Sequence, residues 1–112
     1  AEFICRDGTL TSTMNVLISS EDDGEVRRVS LLNTGRRARE IELTSYAEVV
    51  LAAASADNAH PAFAKMFVVT EFLPELGALI ATRRPRTAQE HQVWAAHFAL
   101  ADGLPMSALQ YE

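Results

Sequence analysis

A single cysteine, Cys5, excludes an internal disulfide and any cysteine framework for a metal, and fits a reducing compartment best. No apolar run reaches the ~18 residues a helix needs to span a bilayer, and the opening AEFICRDGTL lacks the charged-then-apolar order of a signal peptide. An excess of positive charge is also missing. The formal net charge is −5, and Arg27, Arg28, Arg36, Arg37 and Arg39 are interleaved with acids, which argues against binding a phosphate backbone. Neither nucleic acid nor membrane contact is expected of this segment, which should be soluble. His60, His91 and His97 have no metal-ligand spacing, and no G-x-S-x-G elbow occurs, so no metal, cofactor or hydrolytic nucleophile is expected. Internal repeats and low-complexity tails are absent.

What is present is ordinary globular material: 112 residues, 48% apolar and 22% charged. That length supports one modest core, and the chain reads as a single domain over 1–112. Its clearest signal is alternation. Ile41, Leu43, Ala47, Val49 and Leu51 share one face of a strand expected over 40–51, with Glu40, Glu42, Thr44, Tyr46 and Glu48 opposite. Leu10, Met14, Val16 and Ile18 define a second strand with a Thr-rich outer face. A third runs from about Glu25 to Leu32, with Val29, Leu31 and the stem of Arg27 on one side. Glu21-Asp22-Asp23-Gly24 and Asn33-Thr34-Gly35-Arg36 read as the turns of a meander, using positive φ at Gly24 and at Asn33 or Gly35.

Beyond Leu51 the Ala-rich AAASADNAHPAFA reads as a long connection with room for one short helical turn, Pro61 disfavouring helix at His60. Segments 65–73 and 77–84 flank Pro74-Glu75-Leu76-Gly77 as a second, well-buried hairpin. Thr87-Ala-Gln-Glu90 matches a helix capping box, yet Trp94, Ala96, Phe98 and Leu100 alternate with Val93, Ala95, His97 and Ala99. A strand over 92–100, covered on both faces, is the reading taken. Asp102-Gly103 offers a final turn. FICRDGTL at one end and LQYE at the other are extended runs without polar tails, and the chain is expected to be a piece of a larger sandwich.

Few residues invite chemistry. Glu40 and Glu42, two apart on one strand face, would lie roughly 6.5 to 7 Å apart, within the range of paired glycosidic carboxylates, but alternating Glu is how a strand face stays soluble. No catalytic residue is assigned. Arg83, Arg84 and Arg86 around Pro85 read as a solvated turn without a function. Sugar stacking needs an exposed aromatic face, for which Tyr46 on its polar face and Trp94 are the candidates, Trp94 fitting a core position better. Phe63, Phe67, Phe72 and Phe98 read as packing residues. The loop at His60, Pro61 and Phe63 is a candidate docking point for a neighbouring domain or second subunit.

Three passages carry a resemblance: EVRRVSLLNTGRRAREIELTSYAEVVL over 25–51, AHPAFAKMFVVTEF over 59–72 and VWAAHFAL over 93–100. In order and spacing they are similar to the N-terminal sandwich region associated with glycoside hydrolase family 94 and the former glycosyltransferase family 36. Within that family the likeness is to bacterial cyclic β-1,2-glucan synthases. The resemblance implies an all-β fold, an antiparallel supersandwich of the galactose-mutarotase-like kind, packed on an (α/α)6 barrel that holds the catalytic carboxylate and phosphate site. It further implies a parent enzyme on the cytoplasmic side of a bacterial inner membrane, with a separate membrane-embedded transferase region that uses a sugar nucleotide. This segment would brace the phosphorylase-like module and perhaps touch β-glucan. The rivals are an autonomous carbohydrate-binding module and an oligomerisation domain that pairs through open sheet edges.

Overall fold

The computed structural model describes residues 1–85, 87–102 and 111, and the chain divides into two compact units, Ala1–Thr44 and Ser45–Glu112. The first unit is a meander of three antiparallel strands in the order β1 (Glu2–Asp7), β2 (Leu10–Ile18) and β3 (Glu25–Asn33). Asp7 pairs with Leu10, leaving a two-residue loop in which Gly8 adopts φ +58°. That sign at the first loop position is what a type II′ hairpin turn requires, and glycine adopts it without steric penalty. The opening FICRDGTL, read from sequence as a single extended run, therefore hides a turn.

Register assigns the faces. Phe3 opposes Met14 and Met14 opposes Val29, while Cys5 opposes Ser12 and Ser12 opposes Leu31. Directly paired residues project to the same side of a sheet, so Phe3, Met14, Val16, Val29 and Leu31 form one apolar face. The β2–β3 connection is held by Ser19, whose hydroxyl accepts hydrogen bonds from the Glu21 and Asp22 amides at 3.2 and 3.0 Å. Gly24 stays outside the positive-φ region, so this local side-chain bond takes the place of the left-handed glycine expected there.

The strand expected over 40–51 is not formed. Residues 38–50 carry no regular structure, and the boundary between the two units falls among them. A period of two tells which side chains would share a face, but a strand also needs a neighbour for its amides, and no described strand pairs with this segment. The hairpin read at 33–36 goes with it. Gly35 is likewise not left-handed; its place is set by close approach, because a Cβ there would lie 2.8 Å from Thr9 Oγ1.

The second unit carries two short helices, α1 (Ala54–Ala59) and α2 (Pro61–Lys65), then strands β4 (Val68–Leu73), β5 (Ala78–Arg83) and β6 (Trp94–Phe98) in an antiparallel sheet of that order. Alanine favours helix, but α1 has no side-chain cap and stops after six residues. His60, between the helices, has φ −148° and ψ 72°, outside the helical region that a following proline disfavours. Pro61 then opens α2, where its missing N–H is harmless. The second hairpin forms as expected: Leu73 pairs with Ala78 across a four-residue loop closed by Gly77 at φ +57°. The capping-box sequence becomes a turn, with the Glu90 amide bonded to the Thr87 carbonyl at 3.2 Å, and the strand reading prevails at 94–98.

Burial falls short of the sequence expectation. Among the described residues the buried apolar ones are Ala64, Ala78 and Ala81, all in the second unit. Strand β5 is the best covered, whereas the middle of β4 is exposed, so the hairpin is not uniformly buried. β6 is the edge of this sheet among the described strands, with Trp94 and Phe98 at 59% and 62% exposure rather than covered on both faces. All described strand pairings are antiparallel, and the fold is all-β with two small helices. No helix among the described residues is long and apolar enough to cross a membrane.

Candidate functional site

Tyr46 keeps its exposure but not its strand. It lies on the irregular segment at 79% exposure, so a free ring face is present for a reason other than strand alternation. Two residues on, Glu48 pairs with Nζ of Lys65, the last residue of α2. The hydrogen bond to Glu48 raises the Lys65 pKa above its ordinary 10.5; partial desolvation opposes the rise, and the charges of Glu48, Asp57 and Tyr46 add to it. Tyr46, Glu48, Asp57 and Lys65 are thus grouped electrostatically in the second unit. Asp57 Oδ1 is buried without a hydrogen-bond partner among the described residues. The group combines an aromatic face with carboxylate acceptors and an ammonium donor, the chemistry that holds a sugar by stacking and by its hydroxyls.

Trp94 stands apart from this group. Its register partner is Thr82, and Val69 lies opposite Thr82 on β4, so Val69, Thr82, Trp94, Ile80 and Phe98 belong to one face of the second sheet. That face is mostly apolar yet open. His60, Pro61 and Phe63 sit at the junction of α1 and α2, all exposed, with the Phe63 ring edge-on to Phe67 at 5.2 Å between centroids. Phe67 in turn lies under the Arg83 guanidinium at 5.9 Å, a cation–π geometry. Of the phenylalanines read as packing residues, Phe67 and Phe72 are half-buried, and Phe63 and Phe98 are open.

The sequence reading gave no place to a concavity of about 400 Å³ lined by Leu51, Arg83, Arg84, Glu90 and His91 among others. Leu51 there has φ +50°, an uncommon conformation for a side-chain-bearing residue. Its walls come from segments remote in sequence, which no local motif could reveal. Glu40 and Glu42 lie on unpaired backbone, so a strand face does not hold them at a fixed separation. No three His, Cys, Asp or Glu side chains are grouped for a metal ion among the described residues.

Two antiparallel sheets with exposed apolar faces are the layers from which a β-sandwich is built. The model of the glycosyl hydrolase 94 supersandwich domain matches residues 1–112, and the chain belongs to that family. Over 97 residues, 87% of its length, it is 44% identical to the cyclic β-(1,2)-glucan synthase NdvB of Rhizobium meliloti (strain 1021). The chain spans only 3% of that protein's length.

Proposed function

We propose that this chain is a non-catalytic part of a supersandwich domain in a cyclic β-1,2-glucan synthase or related glycan phosphorylase. It braces the catalytic module, with the (α/α)6 barrel and the rest of the parent as its partners. The observation that carries this reading is the open apolar face of the first sheet: Phe3 at 56% exposure on one outer strand and Val29 at 36% and Leu31 at 44% on the other flank half-buried Met14 on one face. Solvent is a costly neighbour for such a face, and further strands of the same sandwich are the occupant it fits, so residues 1–112 are one piece of a larger domain. The relative's far greater length supports this reading. On it, turnover and the sugar-nucleotide chemistry belong to the parent at the cytoplasmic side of the inner membrane. The purified chain should therefore release no sugar phosphate from β-1,2-glucan in the presence of inorganic phosphate. Measurable phosphorolysis would overturn the proposal.

A second reading, direct glycan contact, is favoured by the exposed Tyr46 ring beside the Glu48–Lys65 pair. Titration with β-1,2-glucan oligomers should then shift amide resonances around Tyr46, Glu48 and Lys65. Silence at millimolar oligomer would rule out direct glycan contact. Pairing of two copies through the open edges β1, β3, β4 or β6 is a third arrangement, read out by sedimentation.

A further inference from the structure

We infer that the loop following β3 is an anion site in which Arg36, Arg37 and Arg39 hold a phosphate group, free or carried as an ester. The three arginines and Thr9 line a concavity of about 320 Å³, at the small end of ligand sites, and no carboxylate lines it. None of the three forms an ion pair among the described residues, whereas Arg27 is paired to Glu25. In a chain of net charge −5, three arginines that line one concavity without an ion pair among the described residues favour a ligand of opposite sign. Their forked donors match the several oxygens of a phosphate dianion better than a single carboxylate.

The loop that carries them is fixed in advance. The Asn33 side-chain amide donates to the Arg37 carbonyl at 2.8 Å, and its Oδ1 accepts the Gly35 amide at 3.0 Å. The Thr34 amide and hydroxyl both donate to the Thr9 carbonyl, at 2.8 and 3.1 Å. Gly35 completes the seat, because a Cβ would meet Thr9 Oγ1 at 2.8 Å and Thr9 Cβ at 3.2 Å. A loop tied down over 33–37 loses little freedom on binding, which is what separates a site from a loose patch of charge.

The test is an amide-resolved titration of the full chain with inorganic phosphate at constant ionic strength. Saturable shifts confined to Thr9 and residues 34–39 are expected. Arg36→Gln and Arg39→Gln should each weaken binding about tenfold, the scale of one charge-assisted hydrogen bond. Gly35→Ala keeps every charge and should also weaken binding, by displacing the loop. Shifts that never saturate, or equal affinity in Gly35→Ala, would show diffuse attraction only and overturn the inference. Both arginines are exposed, so their variants keep the test decisive if Gly35→Ala fails to fold. Glucose 6-phosphate binding tighter than inorganic phosphate would assign the site to an ester, and the reverse order to the free ion.

Discussion

The two units solve the same problem differently. Residues 1–44 make a regular three-stranded meander in which no side chain is buried, while residues 45–112 make a less regular unit that nevertheless buries Ala64, Ala78 and Ala81. A single sheet layer, however well hydrogen-bonded, leaves both faces open. Burial needs a second layer, and the small side chains covered in the second unit form only the beginning of one. Good pairing and good packing are separate achievements, and the first unit has the former without the latter.

The largest expected effect is a charge placed in each central strand. Ala81→Glu in β5 should destabilise the second unit by about 3 kcal/mol or more, since it buries an unpaired carboxylate. Ser12→Glu, at the middle of β2 where the side chain is only half-buried, should lower the stability of the chain by about 1 kcal/mol or less, read from urea unfolding. Next comes Leu31→Ala. Its loss should be within about 0.5 kcal/mol in the chain alone but about 2 to 4 kcal/mol in the parent enzyme, where the face is covered. Equal losses in the two settings would break the comparison.

Smaller effects test where the units are alike. Gly8→Val and Gly77→Val each force a branched residue into φ near +58° and +57°, and each should cost about 1 to 2 kcal/mol by equilibrium unfolding. The smallest concerns Lys65. Its folded pKa is raised, so the stability its pairing with Glu48 contributes is fully present below the ordinary value of 10.5 and is lost as pH rises through the higher folded value. Lys65→Met should flatten that alkaline decline, followed by thermal unfolding between pH 9 and 12. Because both side chains are exposed, the effect should be slight and should shrink with salt.

How much the sequence revealed follows the same division. Strands β2, β3, β4, β5 and β6 were legible because alternation and turn residues are local properties, and Pro61 announced the break at His60. The 40–51 segment has the best alternation in the chain and forms no strand, since pairing depends on a neighbour that alternation does not encode. The same limit hid the sites. Tyr46 stands out in the sequence by its polar surroundings, but its grouping with Asp57 and Lys65 depends on the placement of α1 and α2 beside Glu48. The concavity of Arg84 and His91 likewise needs tertiary placement.

Bracing requires the apolar face of the first sheet to be covered in the parent and open here, and Cys5 sits on that face opposite Ser12 and in register with Leu31. Thiol labelling followed by peptide mass spectrometry would compare the Cys5 rate in the chain and in the full enzyme. The account predicts labelling at the rate of a free thiol in the chain and at least about tenfold protection in the enzyme, corresponding to an opening cost of 1.4 kcal/mol or more. Equal, fast labelling in both would contradict it.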